Sequence, residues 1–232
     1  MKYGAVIFDL DDTLYSEATF VESGFLEVSK FLASVSDLAV GVDEIYGKML
    51  DSLRLHGRGK VFNDVLEWLQ LNVQEYLHTL IYIYRNHSPR NISLDSEMKE
   101  LLIDLKNHQL RIGIVTDGTY VTQRNKTDIL FHDLILDCII HTDSLGEHHW
   151  KPSTEPFKVA SKLLGVNPNQ AVYIGDNPVK DFKGPRCIGM HAVWWNPYHK
   201  SFNFSDELSK PDFIVSNIQM LRKHLIGSQD DQ

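Results

Sequence analysis

The chain has 232 residues, 43% of them apolar, and a formal net charge of -8. That length fits one sizeable domain or a domain with a smaller insertion, and the apolar share excludes a disordered chain. The acidic balance excludes nucleic-acid phosphate as the main partner, so any anion site needs its own local cations or a metal.

Ala5 to Phe8 opens the chain as a short, continuously apolar run cut off by acids, the pattern of a buried strand. From Tyr15 to Ser93 the pattern changes. Val21, Phe25, Val28 and Leu32 recur at helical spacing, followed by Ile45, Met49 and Leu53, then Val65, Trp68 and Leu69. Val73 to Tyr84 continues as another helical stretch, so this block predicts about four helices packed on one another. After Pro89 helices and strands alternate. A helix over Leu94–Lys106 leads to a strand over Arg111–Val115, and a helix over Val121–Leu130 leads to a strand over Asp137–His141. A helix over Thr154–Leu164 and a strand over Ala171–Ile174 follow. A short helix near Val179–Cys187, strands at His191–Trp194 and Asp212–Val215 and a helix over Ile218–Leu225 close the pattern. Repeated strand–helix units of this length imply an α/β fold with a parallel sheet and helices on both faces. The first strand belongs to that sheet, which makes the helical block an insertion. The expected division is therefore 1–14 with 94–226 as the core, 15–93 as an all-helical insertion, and 227–232 as a polar, frayed tail.

The ends of four strand-like runs carry the chemistry. Asp9 and Asp11 follow the first, Thr116, Asp117 and Gly118 the second, Lys151 and Pro152 lie further on, and Gly175, Asp176 and Asp181 follow the fourth. In a parallel sheet such ends converge where open α/β sheets bind ligands. If the strand continues past Phe8, Asp9 and Asp11 share a face, and two such close anions call for a cation. Mg2+ suits them because it is hard and prefers oxygen, and Asp176 supplies a third ligand. Asp12 points the other way on the same geometry. Asp9 can attack phosphorus and form an acyl phosphate, with Asp11 protonating the leaving oxygen and then deprotonating water. Thr116 offers a hydroxyl, the turn after it offers backbone N–H groups, and Lys151 offers a positive charge for the phosphoryl oxygens. Asp181 is placed to orient Lys151 or metal-bound water.

These residues resemble the four motifs of the haloacid dehalogenase-like hydrolase superfamily, in its phosphatase branch. Asp9, Asp11 and Thr13 match the Asp-x-Asp-x-Thr motif, Thr116 the second motif, and Lys151 in Lys-Pro the third. Gly175, Asp176 and Asp181 match the fourth. The resemblance spans almost the whole chain and implies a Rossmann-like core with a helical cap domain inserted after the first strand. It implies catalysis by Asp9, Asp11, Thr116 and Lys151, and Mg2+ held by Asp9, Asp11 and Asp176. It also implies phosphate binding by Thr116, Asp117 and Lys151, with Thr13 and Asp181 in support.

Within the insertion, Arg54, His56, Gly57, Arg58, Gly59 and Lys60 form a basic, glycine-bearing segment between helices. It suits a loop gripping a polar leaving group, with Arg58 the candidate contact and Tyr15 a wall of the entrance. His148 and His149 lack zinc-ligand spacing and read as loop residues. Trp194 to Tyr198 reads as core packing and a turn, with an aromatic contact to a substrate or partner protomer as the alternative. The cysteines, Cys138 and Cys187, sit in apolar company without metal-ligand spacing and read as buried free thiols. No apolar stretch approaches a membrane span and no secretory signal is evident, so a cytoplasmic location is expected. The expected function is Mg2+-dependent hydrolysis of a small phosphomonoester, a sugar phosphate or nucleoside monophosphate, by a monomer or homodimer without nucleic-acid or membrane partners. A 2-haloacid dehalogenase and a phosphomutase are the alternatives within the superfamily. A phospho-acceptor signalling domain is the alternative outside it.

Overall fold

Strand β1 (Ala5–Phe8) is four apolar residues, all fully buried, with parallel neighbours on both sides. A strand screened on both faces needs no polar alternation, which is why its sequence reads as an unbroken apolar run. The computed structural model describes residues 3–134 and 136–227. Around β1 stand β2 (Arg111–Thr116), β3 (Cys138–His141), β4 (Ala171–Gly175), β5 (His191–Trp195) and β6 (Phe213–Val215). They form one six-stranded sheet in the order β3-β2-β1-β4-β5-β6, with every pair parallel. With helices around it, this is a Rossmann-like α/β architecture. The strand order reverses between β1 and β4, and open sheets of this kind bind ligands beyond the strand ends at such a point.

The chain forms two compact units, one from residues up to Ser16 and from Ser93 on, the other Glu17–Ile92. The second contains α1 (Glu17–Val35), α2 (Val42–His56), α3 (Val61–Trp68) and α4 (Val73–Asn86) and no strand. Its core joins Val21, Phe25, Val28 and Leu32 of α1 to Ile45 and Met49 of α2, with Val65, Leu66 and Leu80. Each such fully buried side chain contributes about 1.5–3 kcal/mol. Packing of one helical stripe on another therefore holds this unit, as its period predicts.

In the first unit, α5 (Ser96–Asn107), α6 (Tyr120–Leu130), α7 (Glu155–Leu164), α8 (Lys183–Cys187) and α9 (Ile218–Ile226) alternate with the strands. Local side chains set several boundaries. The Asp95 carboxylate accepts from the N–H groups of Glu97 and Met98, so α5 starts after it rather than at Leu94. Asp137 accepts from Ile112 N at the start of β2 at 2.6 Å, and β3 begins one residue later. Asn177 receives the N–H of Asp181 on its carbonyl, and the turn so formed delays α8 to Lys183. Both cysteines are free, but Cys187 is exposed at the end of that short helix and Cys138 is half-buried, which corrects the expectation of two buried thiols. The expected tail lies outside the described residues from 228 on. No helix among the described residues is long and apolar enough to cross a membrane.

Candidate active site

Asp9 is the first residue past β1, and its N–H donates to Ile174 O of β4 at 2.8 Å. The penultimate residue of β4 therefore holds the Asp9 backbone. Its buried carboxylate places Oδ1 2.8 Å from Lys151 Nζ. The same ammonium donates to Asp181 Oδ1 at 2.8 Å and to Tyr173 Oη at 2.9 Å. Three partners match the three hydrogens of an ammonium group. This saturation keeps the buried Lys151 charged, and its pKa stays above the usual lysine range: burial lowers it, but Asp181 and Asp9 outweigh that.

Asp181 is itself enclosed. Its Oδ1 takes Lys151 and the Tyr173 hydroxyl, the latter at 3.2 Å, and its Oδ2 takes Asn177 N at 2.9 Å. Gly175 permits this placement, because a Cβ there would collide with the Asp181 carboxylate. Phe157 of α7 meets Tyr173 edge-on, with ring centroids 4.9 Å apart, and steadies the hydroxyl.

Ligand atoms of Asp9, Asp176 and Asp181 lie within 4.8 Å of one another, the one such group among the described residues. The expectation had grouped Asp11 with Asp9 and Asp176. It assumed that the strand continues beyond Phe8, but β1 ends there and the chain turns through Leu10–Leu14. The Asp11 carboxylate instead points among three donors. Oδ1 accepts from Lys126 Nζ at 2.7 Å and from Tyr15 Oη at 2.6 Å. Oδ2 accepts from Gln123 Nε2 at 2.8 Å. Burial pushes the Asp11 carboxyl up, but Lys126 and the other donors prevail and hold it below the usual carboxylate range.

Asp9 and Asp176 behave in the opposite way. Burial raises Asp9 to about 6 against the pull of Lys151, with Asp181 adding to the rise. Burial, then Asp9 and Asp181, raise Asp176 to about 7. Such uncompensated negative charge with oxygen-only donors suits a hard divalent cation, and the residues fit Mg2+. Asp181 is already committed to Lys151, which leaves Asp176 and the remaining lone-pair site of Asp9 Oδ1 as the open donors.

Thr116 ends β2 and is buried, with Oγ1 accepting from Gln123 Nε2 at 2.6 Å. Since Gln123 fills an acceptor site, the hydroxyl hydrogen of Thr116 is left to donate outward. Asp117 turns its carboxylate the other way, accepting from Thr142 Oγ1 at 2.8 Å and from Lys151 N at 3.1 Å. Its carboxylate therefore fixes the Lys151 backbone, and only its main chain is suited to an anion. Thr13 is buried in the turn, where its Oγ1 has no partner among the described residues. Tyr15 is bonded to Asp11 through its hydroxyl, and with Asp12, Trp195 and Tyr198 it lines a cavity of about 350 Å³. Arg58 belongs to the helical unit, where it pairs with Glu17 at 2.6 Å. Nearby His56 contacts Asp64 at 2.6 Å and Arg54 contacts Asp51 at 3.0 Å, so the basic segment is tied to acids of its own unit.

Sequence reasoning missed Gln123, Lys126 and Tyr173. The signal for the first two was present in α6, where Thr122, Gln123, Lys126 and Thr127 are buried although the helix has few apolar residues. A polar face at i, i+3 and i+4 on a helix that must pack marks groups satisfied by a buried partner. Trp194 was read as core, and besides packing it donates its indole N–H to Asp176 O at 3.0 Å. A cleft of about 100 Å³ lined by Asp12, Asp176, Trp195, Asn196 and Tyr198 opens beside it.

A fold of this order, with acids and a buried lysine around the central strand ends, is the frame of an α/β enzyme. The chain belongs to the haloacid dehalogenase-like hydrolase family, whose model matches residues 6–195. It is 29% identical over 222 residues to the glyceraldehyde 3-phosphate phosphatase of Methanocaldococcus jannaschii, covering 93% of this chain and 94% of that one. It is 27% identical over 205 residues to the N-acylneuraminate-9-phosphatase of Rattus norvegicus, covering 82% and 81%. The crystal structure of a HAD phosphatase from Thermococcus onnurineus superposes with a TM-score of 0.63 at 25% identity, over 99% and 100% of the two chains.

Proposed function

We propose that this protein is a Mg2+-dependent phosphatase that hydrolyses a small phosphorylated metabolite through an acyl phosphate on Asp9. The observation that carries the reading is the Asp9–Lys151–Asp181 constellation, in which a fully buried ammonium holds one oxygen of Asp9 at 2.8 Å. Lys151 occupies Oδ1, so Oδ2 is the oxygen available to attack phosphorus. Asp9 and Asp176 would hold Mg2+, which when bound supplies positive charge to the phosphoryl oxygens. The charge of Lys151 offsets that of those oxygens and the Thr116 hydroxyl orients them, while the buried strand ends limit access of water.

Asp9 Oδ2 forms a bond to phosphorus as the ester oxygen leaves, and the proton that oxygen needs reaches it from water through Asp11, whose carboxylate rests ionised between transfers. Asp11 then takes a proton from the water that attacks phosphorus, which releases phosphate and restores the Asp9 carboxylate. The relatives named for glyceraldehyde 3-phosphate and N-acylneuraminate 9-phosphate support small sugar-like esters as substrates. The helical unit is proposed as a cap that selects the leaving group, with Arg58 taking part; its support is the exposed, basic, glycine-bearing segment after α2.

A dehalogenase needs the aspartate nucleophile but neither a proton-transferring Asp11 nor an acid at 176, and this chain has both. The test is phosphate release from a panel of sugar phosphates, nucleotides and small phospho-acids, with and without Mg2+. Metal-dependent release from one chemical group is expected. No release from any member, with release of halide from 2-haloacids, would replace the reading.

A further inference from the structure

The cavity of about 350 Å³ in the α/β unit has no part in the reaction proposed above. The carboxylates of Asp12, Asp95 and Glu97 line it, and among the described residues no Lys, Arg or His does. Asp95 spends Oδ1 on the N–H groups of Glu97 and Met98, which leaves Oδ2. Glu97 accepts a long bond from Gln219 Nε2 at 3.4 Å, and neither acid forms an ion pair among the described residues. Aromatic side chains share the wall, Tyr15 with Trp195 and Tyr198 from the end of β5 and the loop after it. Thr13 lies there too, 4% exposed, and its Oγ1 has no hydrogen-bond partner among the described residues. Buried hydroxyls are normally paired, so this one suits a polar group brought by a ligand. The cavity also adjoins the reaction centre. The smaller cleft of about 100 Å³ shares Asp12, Trp195, Pro197 and Tyr198 with it and adds Asp176 and Lys200. Lys200 Nζ stands 5.6 Å from the centre of the Tyr198 ring, so the one cation of this surface belongs to the Asp176 cleft.

We infer that this cavity binds the leaving group of the substrate, and that the leaving group carries a protonated amine, as an amino alcohol or an amino sugar does. The inference rests on the phosphatase reading and deepens it by naming a substrate class. A cleft lined by one sign of charge raises the local concentration of the opposite sign. Carboxylates hold an ammonium group through charge-assisted hydrogen bonds, and aromatic faces hold it through the ring quadrupole. This wall offers both. A neutral polyol would find acceptors here but would gain nothing from their charge, and a second phosphate or a carboxylate would be repelled. The substrate is then matched charge for charge, its phosphoryl group beside Lys151 and its ammonium beside Asp95 and Glu97. A positive charge on the substrate also reduces the long-range repulsion of a phosphate ester by a chain of net charge -8 when that charge is opposite in sign to the chain.

The experiment compares two esters matched in size, 2-aminoethyl phosphate and 2-hydroxyethyl phosphate, with Mg2+ present. Wild type is expected to favour the amine about tenfold in kcat/KM, through a lower KM. Glu97→Gln and Asp95→Asn remove a charge and keep the shape of the side chain, and Asn still caps a helix. Each is expected to raise KM for the amino ester about tenfold, the lower end of what a hydrogen bond to a charged group contributes, with a smaller change in kcat. A merely structural role would lower turnover of both esters together and leave their ratio as it was, so the ratio is the quantity read. Either variant decides the matter if the other does not fold. A wild type that hydrolyses other phosphate esters but shows no preference for the amine within this pair overturns the inference and leaves the phosphatase reading standing. So does a preference that survives both substitutions. A wild type that hydrolyses no phosphate ester overturns that reading and the inference with it.

Discussion

The two units of this chain handle charge in opposite ways. In the α/β unit Asp9, Lys126, Lys151 and Asp181 are buried, all around the ends of the central strands. In the helical unit the buried polar residues are Ser23, Ser29, Ser52 and His87, and no Asp, Glu, Lys or Arg of its described residues joins them. Its ion pairs, such as Arg58 with Glu17 and Arg54 with Asp51, keep an exposed member. Burying an ion costs several kcal/mol after relaxation, so a fold that does it four times in one place is using those charges for something other than stability. The helical unit needs no such explanation, since its apolar stripes account for it.

Breaking the buried set should give the largest effects. Lys151→Met leaves Asp9 and Asp181 facing each other without a counter-charge. Loss of one partner from a buried pair costs about 3–5 kcal/mol. Denaturant unfolding should show a loss of that size, together with loss of turnover. Truncating the helical core is next. Leu32→Ala, at a fully buried position, should cost about 2–5 kcal/mol through lost burial and a cavity while leaving Mg2+ affinity unchanged. A change in affinity would show that the two kinds of region are not separable.

The pH dependence sharpens the contrast. Asp9 and Asp176 are raised from 3.8 to about 6 and about 7, so the folded, metal-free chain keeps protons that the unfolded chain has released. Their contribution is fully present below about pH 4 and is lost as pH rises through the folded values. Mg2+ binds the ionised forms and should therefore raise the melting temperature more at pH 8 than at pH 6. Asp176→Asn should shrink that difference; an unchanged Mg2+ titration would remove Asp176 from the metal site. Arg58→Ala sits at the small end. Its pair with Glu17 has an exposed guanidinium and is worth about 1 kcal/mol or less, so stability should hardly move. Discrimination among phosphate esters should change more than hydrolysis of 4-nitrophenyl phosphate.

What could be read from the chain alone follows the same division. The apolar run before Asp9, the alternation after Pro89 and the helical stripes of residues 17–92 are local patterns, and each corresponds to an element of the fold. Lys151 with Asp181 was legible because the Lys-Pro pair and the Gly-Asp…Asp spacing after the strand Ala171–Gly175 are local motifs. The surroundings of Asp11 were not. Strand periodicity past Phe8 put its carboxylate beside Asp9, but the chain turns there, and the donors arrive from α6 and from Tyr15. A polar face on a helix cannot be assigned a partner until the sheet brings one to it.

The most direct test is to trap the intermediate. Wild-type protein turning over its best substrate with Mg2+ would be quenched in acid, reduced with borohydride and digested, and the peptides weighed. Asp9 reduced to homoserine, and unmodified in the absence of substrate, is the predicted result. An active enzyme that yields no reduced residue, or one reduced at Asp11 or Asp176, would contradict the assignment of Asp9 as nucleophile.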